Sequence, residues 1–300
     1  VNRIPYLLEF LPYIQQLRGK MIVVKIGGGV LKDAGNMIKL AKDISVLYNI
    51  GIKIILVHGG GPQADDLMEK LSLVPKKIAG RRITDEDTIE VAKMVYGGKI
   101  NMELTAALQR YKTQAVGFSG VSCGTVLAKK RDLTSIKTPQ MEEPTTVDFG
   151  YVGDIIKIDV GLINNLMKEH IIPVISCLGV DEEGTILNIN ADTIAKEIGI
   201  YLGAEKMIFV TNVPGILEDN EDNSTIIPYL DLDDAKELLK NSNVTGGMLP
   251  KLQNGVYAIE GGVKRVHIID GTMKHSLLVE MFTNEGCGTM IEKETNGGLL

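Results

Sequence analysis

A three-layer αβα sandwich built around a mainly parallel sheet is the α/β fold that this 300-residue chain predicts. Two observations carry that expectation. Six short runs of apolar and β-branched residues, at 22–26, 52–57, 114–118, 171–176, 206–210 and 264–269, alternate with stretches of helical periodicity. That alternation is the pattern of βα units whose strands are covered on both faces. The first two runs also end in consecutive glycines, Gly27 to Gly29 and Gly59 to Gly61, as a strand that stops before a helix does. In open α/β sheets ligands bind beyond the carboxyl ends of the strands, where both clusters would lie.

Taken in order, the chain begins with Ile4, Leu7, Leu8, Leu11, Ile14 and Leu17 at helical spacing, and Pro12 predicts a kink or two shorter helices. This segment, 1–20, either packs on its own domain or exchanges with a neighbouring subunit to build an oligomer. The first strand then runs into Gly27, with the cation Lys25 just ahead of it. Glycines between strand and helix let backbone N–H groups approach an anion with no Cβ in the way, so the two clusters predict a phosphate cradle. Neither cluster has the spacing of the Walker or dinucleotide-binding loops. The stretch 128–159, with Pro139, Pro144, Thr145 and Thr146, predicts hairpins beside the main sheet. A turn signal at 179–184 marks an expected boundary between a lobe at 21–180 and a second lobe at 181–300.

Composition narrows the function. A net charge of −6 argues against a nucleic-acid binder that works by neutralising phosphates. Three widely spaced cysteines suggest neither a zinc site nor a disulfide framework. No apolar run reaches the length of a membrane span, and the start lacks a signal-peptide pattern, so a cytoplasmic protein is expected.

Ten motifs then appear in one order. They are Val24-Lys-Ile-Gly-Gly28, Val57-His-Gly-Gly-Gly-Pro-Gln63, Gly80-Arg-Arg-Ile-Thr-Asp85, Gly98-Lys-Ile-Asn101, Gly117-Phe-Ser-Gly120, Gly150-Tyr-Val-Gly153, Asn188-Ile-Asn-Ala-Asp192, Thr211-Asn-Val-Pro-Gly215, Gly246-Gly-Met-Leu-Pro-Lys251 and Gly286-Cys-Gly-Thr289. Over nearly its whole length the chain resembles the amino acid kinase family, and most closely those members that act on N-acetyl-L-glutamate. The resemblance implies transfer of the ATP γ-phosphoryl group to the side-chain carboxylate of that substrate. An ionised carboxylate is already a nucleophile, so such a reaction asks for charge neutralisation and in-line positioning.

The resemblance assigns roles to particular residues. Lys25 and Lys251 would flank the moving phosphoryl group, with Asp192 holding both, although Asp192 also suits a helix N-terminus. Arg82, Asn188, Gly59 and Gly60 would bind the acyl amino acid; an ordinary surface ion pair of Arg82 with Asp85 or Glu86 is the alternative, and Asn188 could be a plain turn residue. Gly27, Gly28, Gly61, Thr211, Asn212, Val213 and Gly215 would line ATP. Magnesium would arrive on the ATP phosphates, with no protein metal site. His58 reads as packing or hydrogen bonding. The N-terminal helix with His267, Glu280 and Gly286 resembles the arginine-inhibited hexameric members, which implies a homo-oligomer, a dimer or hexamer, with arginine as feedback inhibitor.

Four places depart from the family pattern: Gly29 for asparagine, Arg81 for leucine, Val121-Ser122 for Lys-Asp, and Asn212 for aspartate. They leave the proposed reacting trio untouched but open the acyl group to question. A kinase for aminoadipate or carrier-bound glutamate, and a sensor of arginine or nucleotide without turnover, are the competing readings.

Overall fold

The computed structural model describes residues 4–78, 81–136, 143–219, 222, 225–240 and 248–293. Gly80, Pro139, Gly246 and Gly247, which figure in the sequence reading, lie outside the described residues, as do the side chains of Ile4 and Leu7.

The main sheet has eight strands: β1 (Met21–Ile26), β2 (Lys53–His58), β3 (Ala115–Ser119), β4 (Ile172–Ser176), β5 (Lys206–Thr211), β6 (Tyr229–Asp231), β7 (Arg265–Asp270) and β8 (Thr289–Glu292). Their order is β6-β8-β7-β5-β1-β2-β4-β3. All pairings are parallel except β7 with β8. All six expected strands are present to within a residue, and the additions are β6 and β8.

The centre of the sheet is buried on both faces. Ile22, Val23, Val24 and Ile26 of β1 and Ile55, Leu56 and Val57 of β2 are solvent-free, which is why these strands read as unbroken apolar runs. Helices cover both faces: α1 (Ile4–Leu17), α2 (Gly28–Leu31), α3 (Ala34–Asn49), α4 (Gly61–Lys70), α5 (Glu86–Ala92), α6 (Asn101–Gln109), α7 (Gly161–Lys168), α8 (Ala191–Leu202), α9 (Leu232–Lys240), α10 (Met248–Glu260) and α11 (Ser276–Phe282). Between α5 and α6 the chain winds as a π-helix, Lys93–Ile100.

The 128–159 stretch forms hairpins, as expected. Val126–Lys130 pairs antiparallel with Gly153–Ile158 in a four-stranded second sheet, and Thr134–Ile136 pairs with Thr145–Val147. Under them lies a small satellite core of Val147, Phe149 and Val152. The turn signal at 179–184 falls in a hairpin joining Leu178–Val180 to Ile186–Asn188, with Gly184 at φ 87°.

Of the two expectations for the N-terminal segment, that of two shorter helices does not hold: α1 is one helix with Pro12 inside it. Pro12 and Leu8 both lie on the exposed side, so water can bond the Leu8 carbonyl that proline leaves without a donor. The other side is anchored, with the Phe10 ring edge-on to Phe282 at 6.1 Å and the Tyr13 hydroxyl donating to Asn284 Oδ1. Leu8 and Leu11 remain 60% and 44% exposed. Among the described residues no helix is long and apolar enough to cross a membrane.

Candidate active site

Three neighbouring parallel strands, β1, β2 and β5, deliver the site by ending at one edge. Lys25 stands one residue before the end of β1, level with Val57 of β2 and Phe209 of β5. Asp192 is the second residue of α8, whose N-cap Asn190 accepts from the Asp192 and Thr193 amides at 2.7 and 3.2 Å. Lys251 comes from the first turn of α10. These three side chains, far apart in sequence, meet: Lys25 Nζ is 2.6 Å from Asp192 Oδ1, and Lys251 Nζ is 3.8 Å from Asp192 Oδ2.

The trio is nearly dry, with side-chain exposures of 9%, 7% and 17% for Lys25, Asp192 and Lys251. Burial alone would raise the Asp192 pKa, but the two lysines outweigh it and hold the carboxyl below its usual range. Lys251 goes down, chiefly through burial and despite the favourable charge of Asp192. One carboxylate between two ammonium groups leaves a net positive charge, suited to an anion rather than a cation.

The glycine clusters form one continuous surface beside the trio. A Cβ at Gly28 would fall 2.9 Å from Pro62 Cδ and 3.1 Å from Gly60 Cα, so the two loops touch and neither has room for a side chain there. Gln63 ties them together by donating from Nε2 to the Gly28 carbonyl at 2.9 Å. Gly27 donates its amide to Val210 O at 2.8 Å, which fixes the first loop to β5. Gly61 opens α4, and Thr211 ends β5 next to Gly27.

Asn212 faces the first loop, its Cγ 3.4 Å from where a Gly29 Cβ would stand. Two departures from the family pattern are therefore neighbours. Val213 is exposed, and Gly215 lies further along, where a Cβ would come within 2.7 Å of Thr289 Oγ1. That oxygen accepts from the Ile216 amide at 2.8 Å, so Gly215 belongs to a tightly closed turn.

Arg82 is carried by a short strand, Arg81–Arg82, antiparallel to Lys77–Ile78. Its guanidinium pairs with Asp65 of α4 at 2.5 Å and donates to Gly61 O at 3.2 Å. The alternative, a surface pair with Asp85 or Glu86, is not formed. Asp85 instead caps α5, accepting from the Thr88 amide at 3.1 Å, and pairs with Lys76 at 3.2 Å. With 10% side-chain exposure, Arg82 is an inward-facing group. Asn188 donates to Thr84 Oγ1 at 3.1 Å, and Gly59 passes over Ala191. Arg82 thus lies against the second glycine loop, at Gly61.

The third group of expected residues also converges. His267 Nδ1 lies 2.6 Å from Glu280 Oε1, and Glu280 Oε2 accepts from the Cys287 amide at 2.8 Å. Gly286, at φ 62°, leaves no room for a Cβ beside Glu280 Oε2. Burial pushes the His267 pKa down to about 4, so the neutral ring donates to the carboxylate. Next to this cluster, a cleft of about 600 Å³ opens between α1 and the end of α11, lined by Phe10, Tyr13, Phe282 and Glu285.

Several polar residues that bind the site together had no role in the sequence reading. Gln63 and Asn101 lay inside quoted motifs without an assignment, and Asp65 gave no signal at all. Among the described residues no three His, Cys, Asp or Glu side chains gather as a metal would need.

Residues 20–270 match the sequence pattern of the amino acid kinase family. The chain belongs to that family. Among relatives of this amino acid kinase, the acetylglutamate kinase of Methanothermobacter thermautotrophicus is 44% identical over 95% of this chain and 97% of its own length. The acetylglutamate kinase of Methanosphaera stadtmanae is 43% identical over 96% of each. Among solved structures, N-acetylglutamate synthase from Neisseria gonorrhoeae, complexed with coenzyme A and N-acetyl-glutamate, superposes with a TM-score of 0.83 at 29% identity. That match covers 98% of this chain but 64% of the synthase chain. A second structure of the same synthase, complexed with coenzyme A and L-arginine, gives 0.79 at 26% identity, covering 98% of this chain and 66% of the other.

Proposed function

We propose that this amino acid kinase is an acetylglutamate kinase, transferring the γ-phosphoryl group of ATP to the side-chain carboxylate of N-acetyl-L-glutamate in arginine biosynthesis. The observation that carries the proposal is the buried Lys25–Asp192–Lys251 arrangement, in a chain similar end to end to acetylglutamate kinases. Joining two anionic groups is opposed by their charge, and fixed cations in a dry site act strongly on the charge that develops at the transferred group. Lys25 and Lys251 supply those cations. Asp192 holds them apart and in place, and an ionised acceptor needs no general base.

The remaining assignments belong to the same reading. Segment 21–180 supplies the acyl amino acid side, where Arg82, Asn188, Gly59 and Gly60 bind the substrate. Segment 181–300 supplies the ATP side, where Thr211, Asn212, Val213 and Gly215, with Gly27, Gly28 and Gly61, line the nucleotide. The touching glycine loops, too close for a Cβ, suit ATP phosphates approaching the backbone. Magnesium travels with ATP, held by phosphate oxygens and water, and a cytoplasmic setting goes with this chemistry. Arginine as a feedback inhibitor fits the His267–Glu280–Gly286 cluster and its adjoining cleft. The exposed Leu8 and Leu11 on α1 suit exchange of that helix between subunits, in a dimer or hexamer.

Two features weigh against the competing readings. Docking of an acidic carrier calls for unpaired basic groups, yet on the hairpins near Arg82 several are matched: Lys76 with Asp85, Lys77 with Asp65, Lys130 with Asp148 and Arg131 with Asp154. A sensor has no use for two lysines converging on a buried aspartate. The deciding experiment is ADP release with hydroxylamine trapping of acyl phosphate, with N-acetyl-L-glutamate, glutamate and N-acetyl-aminoadipate in parallel. Turnover with N-acetyl-L-glutamate alone supports the proposal; ATP binding without turnover on any of the three overturns it.

A further inference from the structure

His58 is the last residue of β2 and is completely buried directly beneath the 59–61 loop. Its two ring nitrogens have different partners. Nδ1 lies 3.0 Å from the carbonyl of Gly59, and Nε2 lies 3.0 Å from Asn101 Nδ2. The same Asn101 nitrogen donates its other hydrogen to the carbonyl of Val174 at 3.0 Å, with that of Phe118 sharing it at 3.4 Å. Because carbonyls only accept, this atom must be the amide nitrogen, and His58 Nε2 facing it must also accept. The proton is thereby placed on Nδ1, where it is donated to Gly59 O.

The Gly59–Gly60 peptide is trans, so its N–H points away from the carbonyl that His58 holds. The other side of the loop is set by the π-helix. A Cβ at Gly60 would collide with Ile100 Cδ1 and lie 2.8 Å from Tyr96 Cδ1. An i→i+5 turn brings residue i+5 back over residue i, and so places Ile100 and Asn101 on the same face as Tyr96. The loop is gripped from behind at its carbonyl by His58 and from the side by the π-helix.

We infer that His58 and Asn101 are a positioning pair for phosphoryl transfer, fixing the imidazole tautomer that aims the Gly60 N–H toward the bound reactants. This rests on the kinase reading above. Neither side chain reaches the reacting atoms; the effect passes through the 59–60 peptide. Burial, which pushes the His58 pKa down to about 4, keeps the ring neutral throughout the working pH range.

The first test is the ¹⁵N spectrum of the His58 ring in the whole unliganded protein. A protonated Nδ1 and an unprotonated Nε2 are expected; the opposite tautomer or an imidazolium overturns the inference whatever the acceptor is. The second compares His58→Leu with His58→Asn, whose side-chain amide can return an N–H near the position of Nδ1. In His58→Leu, kcat falls about 10²-fold, as for a misplacement of about 1 Å, while the KM for ATP stays within twofold. His58→Asn recovers at least tenfold of that loss. Unchanged kcat in a folded His58→Leu, or equal losses in both variants, overturns the inference. A wild-type protein inactive on N-acetyl-L-glutamate overturns the acceptor assignment instead, and the ring spectrum then decides the tautomer alone.

Discussion

Lys25 and Asp192 are joined at 2.6 Å across 167 positions of sequence, one at the end of a central strand and the other in the first turn of a helix. Both are more than nine-tenths buried. A pair this dry is costly to assemble and costly to break, since removing one partner strands the other charge. It is therefore weak evidence of selection for stability and strong evidence of a site built to work on charge.

Lys25→Ala and Lys251→Ala each lower kcat by more than 10²-fold, as expected for removing a group that stabilises developing charge. Steady-state ADP release measures this, with circular dichroism confirming that both variants fold. Near-normal kcat in either removes that lysine from the mechanism.

Asp192 gives stability a pH dependence of definite sign. Its folded pKa lies below the unfolded value of about 3.9. The associated stabilisation is fully present above that value and is lost as pH falls through the lower folded one. Melting temperatures of the wild type and Asp192→Asn, measured from pH 7 down to about pH 3, should converge toward the acid end. A constant difference contradicts the assignment.

Arg82→Ala raises the KM for N-acetyl-L-glutamate by at least tenfold, about 1.4 kcal/mol of binding, with a smaller change in kcat. Arg82→Lys does not restore it, because one ammonium cannot make two parallel bonds to a carboxylate. An unchanged acceptor KM moves the carboxylate site elsewhere.

Gly28→Ala drives a methyl into Pro62 Cδ at 2.9 Å and Gly60 Cα at 3.1 Å. Separating the two loops raises the KM for ATP by about tenfold or more. Isothermal titration with a non-hydrolysable ATP analogue reads this without turnover, and unaltered affinity would show that the loops do not hold the nucleotide.

Glu280→Gln raises the arginine concentration needed for half-inhibition by more than tenfold, since hydrogen bonds and ion pairs to a charged acceptor are the strong ones. An unshifted inhibition curve, or no inhibition of the wild type, sets the cluster aside as structural.

Much of this architecture was legible from residue order. The central strands announced themselves because they are buried on both faces and so read as unbroken apolar runs, and the glycines marked where they stop. The strands Tyr229–Asp231 and Thr289–Glu292, at one margin of the sheet, escaped notice, being three or four residues long and half polar. The Asp65 partner of Arg82 was invisible because it sits on the mixed polar face of α4, where nothing distinguishes it from Asp66. The π-helix has no pattern of its own: Tyr96, Ile100 and Asn101 share a face only in a turn that periodicity does not predict. Pro12 was read as a kink or a division into two helices, yet one helix runs through it, because the Leu8 carbonyl that it leaves without a donor is open to water.

The main sheet does not stop between the two segments assigned to different substrates. Val23 stands in register with both Ile55 and Met207, and the ladder continues without a gap from β2 through β1 to β5. A hinge opening along that seam would have to tear six or so parallel hydrogen bonds from the driest part of the protein. Lys25, standing on the seam itself, is thereby held in register from both sides, by Val57 and by Phe209.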